Sequence, residues 1–215
     1  MNIREGEDTV KDCHPYHKRV REKFDAEGLG KEFSLLEDAA CVKNHKENPR
    51  IHGNRQTLPL YCESNQQDLC WVDMVIMRKE SDTVGVIIEI EESNIGPAHI
   101  CGKFLASALT SYYFDGITER CLDDVLFIQI VNRKKNTEGE KETNLVKKWK
   151  AIEEGITKLL PLKDSNITKY RLFWGTGNDG TDFKGLNGKL NLYQEVSEHL
   201  RKQPVFVDKM LERNS

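Results

Sequence analysis

Apolar positions recur along this chain with two different periods, and each period predicts a different kind of element. From Leu145 through Trp149, Ile152, Ile156 and Leu159 they return every three or four residues, which predicts a long amphipathic helix over 144–160. A second such helix is predicted over 192–202, and a charged one over 15–26 that ends at Gly28 and Gly30. Phe33, Leu36 and Ala40 would share one face of a further helix over 31–44. Residues 45–67 are polar and broken by Pro49, Gly53 and Pro59, and predict irregular chain with a short strand over 58–62.

The middle of the chain reads differently. Residues 69–77 (LCWVDMVIM), 84–91 (VGVIIEIE) and 124–131 (DVLFIQIV) are short runs of β-branched and large apolar residues, the signature of strands buried on both faces. Pro97, suited to a first helical turn, opens an apolar helix expected over 97–114, and 170–174 predicts a last strand. Helices interleaved with buried strands predict an α/β fold with a mixed central sheet.

Composition adds little to that outline. A chain of 215 residues with no break in composition is expected to form a single domain, 1–215. No apolar run approaches the roughly 20 residues of a membrane span, and the polar start, MNIREGEDTV, carries no apolar signal region, so a soluble cytoplasmic protein is expected. Six scattered cysteines without a C-x-x-C pair are expected to be small buried thiols; Cys13, His14 and His17 alone make a weak zinc signal. The net charge of −3 does not mark a nucleic-acid binder, although Lys147, Lys148, Lys150 and Lys158, with Arg133, Lys134 and Lys135, offer a possible phosphate-contacting rim.

The candidate chemistry lies in the two middle strands. Side chains alternate along a strand, so Glu89 and Glu91 point to one side together with Ile87. A hairpin closed by Glu80, Ser81 and Asp82 sets Val75 opposite Ile87 and Asp73 opposite Glu89. The two carboxylates would then be cross-strand neighbours, with Cβ atoms about 4.5–5.5 Å apart. A turn one residue longer slips Asp73 to face Ile88, and a bulge would restore the pairing. Like charges this close on buried strands need compensation, and a divalent cation held by carboxylates and a backbone carbonyl supplies it. In the helix that follows, Lys103 is the only full charge, and His99 lies one turn before it. The bland reading puts Glu89 and Glu91 on the solvent face of an edge strand and lets Lys103 snorkel to water.

These residues resemble the PD-(D/E)XK nuclease superfamily. Asp73 matches its first acid, and Glu89-Ile90-Glu91 matches its second half in the Glu-x-Glu form of BamHI-type restriction endonucleases. The stretch EIEESNIGPAH, with Asn94-Ile95 and Ala98-His99, carries the similarity toward the next helix, so that it covers about 72–109. Val72 stands where the superfamily commonly has Pro, and Glu91 where most members have Lys. The resemblance implies a restriction-endonuclease-like three-layer core, catalytic over about 31–131, with 143–215 serving DNA contacts or dimerisation. It also implies a magnesium-dependent endodeoxyribonuclease, Mn²⁺ substituting, that cuts double-stranded DNA as a homodimer of the type II restriction class. Asp73, Glu89 and the Ile90 carbonyl would hold metal, Glu91 or Lys103 would act on the attacking water, and Glu37, with rivals Glu32 and Glu47, would complete the ligand set from an early helix. Alternatives are a repair or recombination nuclease of the same superfamily, a catalytically silent nucleic-acid-binding domain, and a glycosidase using paired carboxylates. The glycines at 175–180 formally satisfy G-x-G-x-x-G but lack the helix that should follow, and predict a surface loop.

Overall fold

The three apolar runs of the middle region form the centre of one sheet. The computed structural model describes residues 15–38, 58–62, 68–79, 83–92, 96–114, 118–132, 142–175, 183–186 and 190–202. Outside them lie Cys13, His14, Cys41, Glu47, the 80–82 turn, the basic 133–135 segment and most of the glycine-rich loop. In chain order the elements are α1 (Pro15–Ala26), a 3-10 turn (Leu29–Lys31), β1 (Phe33–Glu37), β2 (Leu58–Tyr61), β3 (Cys70–Val72), β4 (Met74–Arg78), β5 (Val84–Glu91), α2 (Pro97–Ala108), β6 (Tyr112–Phe114), β7 (Glu119–Asn132), α3 (Glu142–Leu159), β8 (Ile167–Gly175), β9 (Phe183–Gly185) and α4 (Leu192–Lys202).

The main sheet runs β1-β4-β5-β7-β8-β9, with β5, β7 and β8 parallel and every other pairing antiparallel. The long strand β7 also serves a second ladder, because its first residues pair with β6 and β6 leads through β2 to β3. The fold is thus α/β with a mixed, mostly antiparallel sheet, as the interleaved pattern predicts.

Both faces of the main sheet are buried. Val75, Ile87, Phe127 and Leu172 pack on one side with Ile100 and Phe104 of α2 and Leu145, Trp149 and Ile156 of α3. Met74, Ile76, Ile88, Ile128 and Phe173 pack on the other with Val20 and Phe24 of α1 and Val196 and Leu200 of α4. Each such fully buried side chain contributes about 1.5–3 kcal/mol of transfer free energy, and this explains why no polar alternation is visible in the central runs.

Three expectations fail for physical reasons. Over the described residues 31–38, the helix expected over 31–44 is instead the end of a short 3-10 turn and strand β1, antiparallel to β4 with Phe33 opposite Arg78 and Glu37 opposite Met74; 39–44 lie outside the described residues. Residues three apart share a helix face but lie on opposite faces of a strand. Phe33 and Leu36 enter the two different apolar clusters, so the strand buries both while it pairs the open edge of β4. The helix expected over 97–114 stops at Ala108. The buried Thr110 hydroxyl donates to the Ser107 carbonyl at 2.6 Å, and Tyr112–Phe114 pairs with β2 and β7 instead. Finally, 69–77 is two strands in two ladders, β3 and β4, separated by a bend at Asp73.

The hairpin register has Val75 opposite Ile87 and Met74 opposite Ile88, as the constant-sum rule predicts. Nearer the turn it is slipped by one, with Met77 opposite Val84, and a bulge between Ile76 and Met77 restores it. Of the four described cysteines, Cys62 and Cys70 are half-buried and Cys101 and Cys121 exposed, and none of the four is in a disulfide; none of these four is the fully buried thiol expected.

Candidate functional site

Asp73 sits in the bend where the chain leaves one ladder for the other, one residue beyond the last pair of β4 with β5. Its backbone carbonyl accepts the Asp38 N–H at 2.8 Å, which carries the β1–β4 pairing one residue past Glu37 and Met74. Because the residue is outside the β4–β5 ladder, strand alternation does not hold its side chain to the α2 face. Oδ2 accepts the Ile90 N–H at 2.6 Å, and Oδ1 lies 3.2 Å from Nε2 of His17 on α1. The carboxylate therefore turns to the margin of the sheet rather than standing squarely opposite Glu89. In an extended strand the N–H and C=O of one residue point to the same side, so the Ile90 carbonyl is directed to that margin too.

Glu89 and Glu91 do share a face. Lys103, rising from the second turn of α2, places Nζ 2.7 Å from Glu89 Oε2 and 3.1 Å from Glu91 Oε1. His99, one turn earlier, brings Nε2 within 3.2 Å of the same Glu91 oxygen. Gly96 and Pro97 begin α2 close after β5, which sets this polar stripe against the strand end. Neither the solvated edge strand nor the snorkelling lysine describes this arrangement: Glu89 is 1% exposed and Glu91 6%.

Compensation is uneven. Burial raises Glu89 well above the ordinary carboxylate range and the neighbouring Asp73 charge raises it further, against Lys103, which lowers it. Burial also acts upward on Asp73, but His17, Lys103 and the Ile90 N–H together hold it below its usual value. For Lys103, burial favours the neutral amine, and Glu89 and Glu91 outweigh it and hold the ammonium well above the ordinary lysine range. The Glu91 Oε1 atom is buried and, although Lys103 and His99 stand beside it, receives no aligned hydrogen bond.

On the opposite face, alternation puts Glu92 with Ile88 and Ile90, toward α1. Its Oε1 accepts the Tyr16 N–H at 2.8 Å and lies 3.1 Å from His17 Nδ1, so Glu92 caps the start of α1 while His17 spans Glu92 and Asp73. A ring with a carboxylate at each nitrogen can donate to both only when it carries both protons. Sequence reading missed this bridge, because the parity of Glu92 gives its face but not its partner on α1. Neither Cys13 nor His14 is among the described residues, and His17 is engaged by the two carboxylates.

Glu37 is on strand β1, not on an early helix. Its Oε1 lies 3.4 Å from Arg21 Nη1, and burial raises it while Arg21, the largest opposing influence, lowers it. Its electrostatic neighbours are Arg21, Asp25 and His17, which places it at the α1 margin of the cluster. Glu32, at the end of the 3-10 turn, pairs with Arg201 of α4.

Among the described residues no three His, Cys, Asp or Glu side chains stand ready as a metal cage. The donor set nevertheless fits a hard divalent ion. Two interacting carboxylates and a carbonyl directed to the margin that Asp73 faces suit an ion that keeps several waters, and Glu89, raised by burial and by Asp73, would gain from added positive charge. The cluster sits at the carboxyl ends of β5 and β7, the customary position for ligands in sheets with parallel centres. No helix among the described residues is long and apolar enough to cross a membrane. No family model matches the chain, and neither a curated protein nor a solved structure matches it.

Proposed function

We propose that this protein is a magnesium-dependent endonuclease that hydrolyses DNA phosphodiester bonds at the Asp73, Glu89, Glu91 and Lys103 cluster. The observation that carries the reading is Glu89: a carboxylate 1% exposed, raised by burial and by Asp73, with Lys103 at 2.7 Å and a second buried carboxylate two residues on. Strongly perturbed carboxylates with a specific charge partner cluster at functional sites.

In this reading Asp73, Glu89 and the Ile90 carbonyl would hold Mg²⁺ or Mn²⁺. When bound, the ion supplies an acidified water and neutralises charge that develops on the phosphate. Glu91, whose Oε1 lies beside Lys103 and His99, accepts the proton of the attacking water. Lys103 moves between the carboxylates and the scissile phosphate, where its ammonium offsets the extra negative charge of the transition state. His17 keeps Asp73 turned to the margin through its bond to Oδ1.

Plasmid DNA incubated with the protein in Mg²⁺ should be nicked or cut, in EDTA it should be untouched, and Glu89→Ala should abolish the reaction while leaving DNA binding largely intact. Discrete fragments would fit a sequence-specific restriction enzyme acting as a homodimer on duplex DNA, and a smear would fit a repair or recombination nuclease. Intact plasmid at high protein concentration in Mg²⁺ would leave a silent domain.

A further inference from the structure

The three tryptophans of the chain have very different settings. Trp149 and Trp174 are buried at 1% and 4% exposure, whereas Trp71 on β3 is 50% exposed. An indole left in water beside a polar cluster forgoes the burial that this side chain usually finds.

Trp71 lines a slot of about 360 Å³ between β3 and α2. Leu69, 43% exposed, and Cys70 share its strand side, Ala106 supplies a short side chain on the helix side, and Glu89 and Lys103 open into the same space. Burial raises the Cys70 thiol to about 11, so at neutral pH it is an uncharged part of the wall. The slot is thus apolar and aromatic along one side and ionic at one end.

Those two characters limit the occupant. An apolar surface of a second copy would cover the Trp71 face but would also desolvate the Lys103 ammonium, which is 31% exposed, and the cores of such interfaces are depleted in charge. A nucleotide answers both: its base offers a flat face to an indole, and its phosphate, one sugar away, offers negative charge to Lys103 and to His99, which also lines the slot. In a duplex the base faces are covered by their stacked neighbours, so only an unpaired, terminal or extruded base can lie on Trp71.

We propose that the slot between β3 and α2 binds an unpaired nucleobase stacked on Trp71, next to the phosphate held at Lys103, so that the preferred substrate is single-stranded or locally unwound DNA. This rests on the nuclease reading and narrows it toward structure-selective cleavage.

The test is a fluorescence titration of the full chain in EDTA with a short oligothymidylate. With Trp149 and Trp174 buried, quenching on saturation reports Trp71. The single strand should quench and should bind more tightly than a blunt duplex of equal length. Trp71→Phe should bind nearly as well as the parent by an anisotropy assay on labelled oligonucleotide, and Trp71→Leu about tenfold or more weakly. Absence of quenching at saturation, equal affinity for duplex, or full affinity in Trp71→Leu overturns the proposal. So does a concentration-dependent dimer that Trp71→Leu dissociates while oligothymidylate fails to bind, which would assign the slot to a second copy. Because binding is read without metal, the two readings fail separately. Stacking without cleavage on adding Mg²⁺ would sink the nuclease alone, and duplex cleavage without single-strand binding would sink the stacking site alone.

Discussion

Glu89 on β5 and Gln129 on β7 are direct partners in the parallel ladder, both almost wholly buried and both on the α2 face, yet their surroundings treat them in opposite ways. Gln129 is neutral and satisfied: Nε2 donates to the Ile100 carbonyl at 3.2 Å and Oε1 accepts the Tyr170 hydroxyl at 2.7 Å, a bridge that ties α2 through β7 to β8. Glu89 is held against burial and against Asp73, with Lys103, shared with Glu91, as its cationic partner. A polar group placed for the fold finds complements for its atoms. One placed for chemistry keeps an unmet demand that a ligand can fill.

Single substitutions can break this contrast. The largest effect is expected from Glu89→Gln, which should lower magnesium-dependent cleavage at least about a thousandfold, roughly 4 kcal/mol in the barrier, and yet should stabilise the metal-free fold. The sign follows from the raised carboxyl: the native state keeps its proton to higher pH than the unfolded chain, so native stability falls as pH rises from about 4.5 through the folded value. The amide cannot ionise. Urea midpoints in EDTA should therefore be higher for Glu89→Gln at neutral pH, with the advantage gone below about pH 4.5.

Lys103→Met comes next. It leaves Glu89 and Glu91 without their nearest cation and should cost about 2–3 kcal/mol at neutral pH, at the low end of what a broken buried pair costs because the ammonium is 31% exposed. Thermal melts should show the loss partly reversed by millimolar Mg²⁺. Gln129→Leu should cost about 1–2 kcal/mol, chiefly from the stranded Tyr170 hydroxyl, and no addition of metal should restore it in the same melts.

How much of this contrast could be read from the chain depends on which residues carry it. The buried runs around β5 and β7, the shared face of Glu89 and Glu91, and the Lys103–His99 stripe follow from periodicity, because both faces of the sheet demand apolar side chains, whereas the Val75–Ile87 register follows from the turn length assumed at 80–82 and holds because a bulge restores it. The break at Asp73 did not, since an uninterrupted apolar run looks the same whether it serves one ladder or passes between two. Nor did β1, where Phe33 and Leu36 suit either period and the open edge of β4 decided between them. The His17 bridge depends on the packing of α1 against the strand end, a contact about 75 residues apart in sequence that no local pattern encodes.

The smallest expected effect lies at the far end of the sheet, where His199 of α4 lies 2.7 Å, through Nε2, from the carbonyl of Asp124, a residue with φ of 48°. Burial lowers His199 below its ordinary 6.5, so the unfolded chain gains a proton first as the solution is acidified, and native stability should decline as pH falls below about 6.5. That part of the decline should be missing from the pH dependence of urea unfolding in His199→Gln, while cleavage at neutral pH stays unchanged.

Calorimetric titration of Mg²⁺, or Mn²⁺, into EDTA-stripped and dialysed protein bears most directly on the carboxylate cluster. A saturable binding event in the parent that disappears in Glu89→Gln and survives in Gln129→Leu is the expected result. Equal binding in the parent and in Glu89→Gln, or no binding in either at millimolar ion, would contradict the assignment of a metal to these residues.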